Sequence, residues 1–289
     1  VPALIVTHYN PDLDAVMSAW LLVRFAQSRF GDAELAFCPA GKTYKDELVD
    51  SDPEIVHVDT GRGVYDHHQP GRTKTCAAKL VWESLKSEGY LEEENKPLEV
   101  MIEYVYEIDS FQDCYWPEAE NPRYAFMLHE ILPALHSLQI YDNEAVARMG
   151  FSYLDAAYQS LKNVEHAKKN IEEAEKFESA WGRGVAIAAE TDDLSKVAQR
   201  MGYQIVVSFH PKKKYLKIKT APRVSLDLKP LHDKIRKKED GKIWFYHNSG
   251  HILLSGSDKS APEEITNITM QELLQMIKEV TEEKNKTKK

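Results

Sequence analysis

The 289 residues include only three cysteines, 13 glycines and 13 prolines. Cys38, Cys76 and Cys114 are odd in number and far apart, and no C-x-x-C pair exists. This excludes a disulfide framework and a thiolate zinc knuckle. The cysteines read instead as buried free thiols of a reducing, cytoplasmic compartment. No internal repeat or low-complexity segment is present, which excludes solenoid and fibrous classes. No apolar run approaches the roughly 18–20 residues that span a bilayer, so a membrane-embedded protein is excluded. The opening Val-Pro-Ala-Leu-Ile-Val-Thr-His lacks a basic leader and reads as a first strand rather than a signal peptide. Aromatic residues, 10% of the chain, do not gather into a stacking platform of the kind found in single-strand binding proteins.

What is present is an ordinary globular mixture, 43% apolar and 29% charged, at a length that predicts two domains. The net charge of −9 is unevenly spread. Residues 1–181 hold 16 Lys and Arg against 32 Asp and Glu, whereas residues 182–260 hold 16 against 8. An acidic unit suits cations and a basic one suits phosphates. The boundary is expected at 181/182, giving a metal-binding catalytic domain (1–181) and a smaller domain (182–289). Long duplex DNA is a poor partner for a chain this acidic. A nucleotide or short single-stranded oligonucleotide fits the charge arithmetic better.

Leu4 to Thr7 reads as a buried strand, Ala15 to Phe30 as a helix, and Ile55 to Val58 and Val64–Tyr65 as further short strands. Helices follow at Cys76–Glu88 and Glu99–Ile108. The alternation predicts an α/β class with a mainly parallel sheet flanked by helices. A long helix, roughly Glu144 to Ser179, would link it to a smaller C-terminal α/β domain. In that domain strands are expected at Gly184–Ala189, Tyr203–Phe209, Tyr215–Thr220 and Ile252–Leu254, and helices at 194–201, 228–238 and 270–280. Trp20, Trp82 and Trp181 are placed on helices in the core, and Lys212, Lys213 and Lys214 at a solvated hairpin tip.

The chemistry lies at the ends of the predicted strands. The first opens into His8-Tyr-Asn-Pro-Asp12-Leu-Asp14, the second ends at Asp59, and the third at Asp66-His67-His68. In open α/β sheets functional groups collect beyond the carboxyl ends of the strands, so the three clusters should meet on one rim. Imidazole and carboxylate without thiolate suit manganese, iron or magnesium rather than structural zinc. There are enough carboxylates for two divalent cations sharing a nucleophilic water.

These motifs together resemble the DHH phosphoesterase superfamily, named for the triplet Asp66-His67-His68. Its signatures appear in order: His8-x-x-x-Asp12-x-Asp14, Asp59, the triplet, and a later lone Asp, best matched by Asp109 with Asp113 as a rival. The resemblance covers residues 1 to about 130. It implies that His8 and Asp12 hold one cation with Asp59, and that Asp14, Asp59, His67 and Asp109 hold the other, with Asp59 bridging. It further implies that His68 contacts the phosphoryl group or protonates the leaving oxygen, and that Asp66 orients a histidine. The cations would be Mn2+, with Mg2+ or Fe2+ compatible with the same ligands.

The superfamily also implies a C-terminal domain that closes over the site and grips substrate through a Gly-rich loop with a histidine. The counterpart here is Asn248-Ser249-Gly250-His251, poorer in glycine than the usual run; a plain hairpin turn with a surface histidine is the alternative. Arg223, after a predicted strand, and Arg72, after the triplet, are candidate phosphate grips. The resemblance points to a phosphodiesterase of short oligonucleotides or dinucleotides. Hydrolysis of pyrophosphate or polyphosphate, or of a nucleotide phosphomonoester, is the alternative.

Overall fold

The computed structural model describes residues 2–188, 193–239, 244–256 and 266–287. The chain forms two compact units, Val1–Leu161 and Lys162–Lys289. Among the described residues no helix is long and apolar enough to cross a membrane.

The first unit is built on three parallel strands, β1 (Leu4–His8), β2 (Glu34–Cys38) and β3 (Ile55–His57), in the order β2-β1-β3. The middle of β1 is fully covered, as expected of a central parallel strand with both faces packed. Helix α1 (Leu13–Phe25) starts where Asp12 caps it, its side chain accepting the Ala15 amide. Met17, Trp20, Leu21 and Leu22 of α1 are wholly buried. Each such side chain stabilises the fold by about 1.5–3 kcal/mol relative to exposure. A short α2 (Gln27–Phe30) precedes β2. Helices α3 (Ala77–Ser87), α4 (Lys96–Asp109) and α5 (Leu128–Ser137) complete the shell, with 3-10 turns at Gln112–Tyr115 and Pro122–Phe126. Helix α6 (Asn143–Glu173) begins in this unit. Gly150 lets it approach α1, since a Cβ there would lie 2.6 Å from Val16 Cγ1. Asp155 accepts hydrogen bonds from the Trp20 indole and the Arg24 guanidinium.

The second unit carries a six-stranded mixed sheet in the order β4-β5-β6-β7-β9-β8. Its strands are β4 (Glu175–Ser179), β5 (Gly182–Ala188), β6 (Ile205–Phe209), β7 (Leu216–Thr220), β8 (Phe245–Tyr246) and β9 (Ile252–Leu254). The period-2 pattern divides the apolar side chains between two cores. Ile205 and Val207 face one, with α8 (Lys229–Lys238) and α9 (Met270–Thr287); Val206 faces the other, with α7 (Asp193–Arg200) and with Ala167 and Ile171 of α6.

The α/β class is as expected, and several local readings are corrected. Val64–Tyr65 is not a strand: Val64 is exposed and Tyr65 makes a single parallel bridge to Val58. The third strand is β2, which pairs along β1 from Leu4 with Glu34 to His8 with Cys38. The long helix stops at Glu173, because Glu175–Ser179 pairs antiparallel with β5 and leaves the helical path. Trp181 is buried but lies in the turn between β4 and β5, its indole donating to the Asp227 carbonyl. Trp82 is only partly covered, and Cys114 is exposed while Cys38 and Cys76 are buried.

Candidate metal centre

The parallel sheet delivers His8 at the carboxyl end of β1 and Asp59 two residues beyond β3, on the same rim. Asp59 takes a left-handed backbone (φ +53°), and its amide donates to the Tyr65 carbonyl at 2.9 Å. Asp tolerates that conformation better than most residues, and strain of roughly 1–3 kcal/mol is the usual cost where a site demands it. Only 4% of Asp59 is exposed.

Around it the predicted ligands converge. His8 Nδ1 donates to the Tyr9 carbonyl at 2.9 Å, which turns Nε2 toward Asp59 Oδ2 (3.3 Å) and Asp12 Oδ1 (4.0 Å). His67 Nδ1 lies 3.5 Å from both Asp14 Oδ2 and Asp59 Oδ1, and its Nε2 lies 3.3 Å from Asp109 Oδ2. Three overlapping groups of donor atoms are close enough to hold a cation: His8, Asp12 and Asp59; Asp14, His67 and Asp109; and Asp59 with the triplet. The structure brings Asp109, at the end of α4, into this cluster, and Asp113 joins none of the three groups.

Two observations test whether these residues fit a cation. Among the described residues Asp59 Oδ1 and His67 Nδ1 are buried with no hydrogen-bond partner, although buried polar atoms are ordinarily paired. The buried carboxyls also crowd one another. Burial first, then the charges of Asp59 and Asp109, push Asp14 well above the ordinary carboxylate range. Burial raises Asp59 likewise, and burial with Asp59 and Asp12 nearby lifts Asp109 to about 6. Burial disfavours the His8 imidazolium, yet the Asp59 hydrogen bond and nearby acidic groups outweigh it and raise His8 to about 9. Positive charge is what this cluster lacks.

Asp14 does more than the sequence suggested. Its two carboxylate oxygens accept the amides of Ala77 (2.7 Å) and Ala78 (2.8 Å), the first residues of α3. The residue at that helix's own cap, Cys76, makes no side-chain capping bond, so Asp14 satisfies the helix start from across the fold. Nothing local to residue 77 signals this.

Asp66 is 1% exposed and accepts the amides of Arg62 (2.6 Å) and His68 (2.9 Å) and the His68 ring at 2.9 Å. Burial alone would raise Asp66; these hydrogen bonds outweigh it and hold the carboxyl below its ordinary range. His68 is thereby oriented through Nδ1 while 63% of its side chain faces solvent. Arg72 turns onto the carbonyls of Val64 and Asp66, so in this structure it braces the loop before the triplet.

The remaining predicted substrate residues lie in the second unit. Gly250 has φ +74°, and its carbonyl accepts the Leu228 amide. Ser249 Oγ and its amide both meet His247 Nδ1, and His251 Nδ1 pairs with Thr220 Oγ1 at 2.8 Å. Arg223 is exposed on the turn that follows Thr220. The Ser249-Gly250-His251 loop and the 220–228 segment thus pack side by side.

Sequence reading missed one feature of the first unit. Tyr104 and Trp116 stack at 5.9 Å, and both meet the His129 ring edge-on at 5.8 and 5.7 Å. The aromatics do cluster here, next to Asp109. The signal was the aromatic density of residues 104–126.

No family model and no curated protein matches the chain. Several solved structures are similar, three of them as follows. One is a DHH domain described as a member of the s1p family of ribosomal proteins, 14% identical at a TM-score of 0.32, covering 96% of this chain and 87% of that one. Another is the exonuclease RecJ bound to manganese, at 11% and 0.26, covering 80% and 81%. The third is RecJ in complex with Mn2+ from Thermus thermophilus, at 12% and 0.26, covering 87% of this chain and 49% of that one. Likeness this distant carries no argument about chemistry, which rests on the side chains described above. The first of these is described as a DHH domain, and it is in its own four motifs that the chain resembles that superfamily.

Proposed function

We propose that the chain is a metal-dependent phosphoesterase that hydrolyses phosphodiester bonds of short oligonucleotides or dinucleotides. The observation that carries the reading is the pair of buried, partnerless ligand atoms, Asp59 Oδ1 and His67 Nδ1, among carboxyls held above their ordinary range. His8, Asp12 and Asp59 would hold one divalent cation, and Asp14, Asp59, His67 and Asp109 a second, manganese being the first choice. Bound there, the cations would supply Lewis acidity and an activated water at neutral pH.

The chain's own residues do the rest. Tyr9 fixes the His8 tautomer so that Nε2 is free to ligate. Asp66 fixes His68 through Nδ1 and leaves Nε2 on the solvent side, where it hands a proton to the leaving oxygen. Arg72 holds the loop that carries the triplet. In the second unit Arg223 and the Ser249-Gly250-His251 turn are the proposed phosphate grip. The test is hydrolysis of a 5′-phosphorylated dinucleotide with Mn2+, run beside pyrophosphate. Mononucleotide release that chelation abolishes is the expected result. Phosphate release from pyrophosphate alone would move the chain to the phosphoanhydride branch.

A further inference from the structure

Helix α4 ends at Asp109, with Ser110 as its cap, and the next residue turns into the left-handed region. That position is usually glycine, because any side chain there costs roughly 1–2 kcal/mol. Here it is Phe111, at φ +57° and 80% exposed. A strained backbone and a phenyl ring held in water are two costs at one residue, and neither is explained by packing. The ring lines a pocket of about 190 Å³ that also includes Asp14 and Asp109 on the ligand side, Val105 and Ile108, and His129.

His129 is the other wall. Its Nδ1 hydrogen-bonds with the Tyr104 hydroxyl at 2.6 Å, its Nε2 lies 3.9 Å from Glu130 Oε1, and its side chain is 8% exposed, clamped edge-on by Tyr104 and Trp116. Burial pushes the Tyr104 phenol up to about 12 and lowers His129. Asp12 and Leu13 complete the lining, and among the described residues no lysine or arginine belongs to it. The pocket offers a flat apolar face beside the acidic cluster.

We propose that the pocket between Phe111 and His129 receives the nucleobase of the substrate, with Phe111 stacking on its face. The inference rests on the phosphoesterase reading above and deepens it, making Phe111 the residue that selects base-bearing esters. Stacking of a base on an aromatic side chain is worth a roughly five- to hundred-fold change in affinity.

The test uses the full Mn2+-loaded chain and calorimetric titration with adenosine 5′-monophosphate and with ribose 5-phosphate. The wild type should bind the nucleotide at least about fivefold more tightly. Phe111→Gly should erase that preference, leave ribose 5-phosphate binding unchanged, and raise the melting temperature by relieving the backbone; Phe111→Trp should keep the preference. Equal affinity for the two compounds in the wild type overturns the proposal, as does a Phe111→Gly variant that weakens both alike. Hydrolysis of phosphoesters without base preference sinks this pocket and leaves the phosphoesterase. Base-selective binding in a chain that turns nothing over supports the pocket and sinks the phosphoesterase. Failure of both compounds to bind overturns the two together.

Discussion

Two regions of the molecule handle their polar groups in opposite ways. On the rim of the first sheet, Asp59 Oδ1 and His67 Nδ1 have no hydrogen-bond partner among the described residues, and three carboxyls are driven upward by burial and by one another. In the loop of the second unit, His251 pairs with Thr220, Ser249 with His247, and the Gly250 carbonyl with Leu228. One region is incomplete in polypeptide alone and calls for a cation. The other is complete as folded and has its outward-facing Arg223 to offer a ligand. The candidate metal site is thus marked by what the fold leaves unsatisfied together with crowded carboxyls.

The sharpest way to break the contrast is Asp59→Asn. Turnover and manganese binding should both be lost, while the ion-free protein becomes more thermally stable, because a carboxyl that burial holds above its ordinary range has been replaced by a neutral amide. Normal activity in a well-folded variant would end the two-cation scheme.

A pH series comes next. Asp109 in the folded chain sits near 6, above its ordinary value, so the stability it contributes is full below the ordinary carboxylate range and is lost as pH rises through about 6. His8, raised to about 9, adds a loss in the same direction from its ordinary value upward through about 9. The ion-free melting temperature should therefore fall between about pH 4 and 9. Saturating Mn2+ should flatten or reverse the slope, since metal binding then displaces these protons. An ion-free chain whose stability rises with pH across that range would contradict the charge assignment.

In the second unit the effects should be structural and smaller. Gly250→Ala places a Cβ 2.6 Å from Asp227 Cβ at a positive φ, and should cost about 1–3 kcal/mol by denaturant titration with manganese binding intact. Loss of manganese binding there would dissolve the contrast. Arg223→Ala, on an exposed turn, should leave stability within about 0.5 kcal/mol and raise KM much more than it lowers kcat. An unchanged KM removes Arg223 from the substrate contacts.

Two of the ligand motifs were legible because each follows a strand whose apolar run is plain, Leu4–Thr7 before His8 and Ile55–Val58 before Asp59, whereas the triplet follows a single bridge and Asp109 ends a helix. The sequence did not reveal β2, because Glu-Leu-Ala-Phe-Cys is half covered and owes its strand state to the backbone of β1. Glu175–Ser179 reads as helix by charge and becomes a strand because β5 pairs with it. The same logic hides His129. Its importance comes from Tyr104, 25 residues away, and from the turn of the chain after Asp109. Burial of the thiols followed the usual habit at Cys38 and Cys76 but not at Cys114, which lies on a short turn with no core beneath it.

Asp14 belongs at once to the ligand cluster and to the start of α3, through the Ala77 and Ala78 amides. On the proposed reading, cation occupancy would therefore be wired into the backbone of a helix that supplies none of the proposed ligands. Those two amide protons should behave as a built-in gauge, their nitrogen shifts and exchange rates moving with manganese or with a diamagnetic stand-in such as magnesium. Any ligand that loosens Asp14 would be felt first as fraying at the head of α3, which makes this short contact the place where chemistry on the rim reports to the rest of the fold.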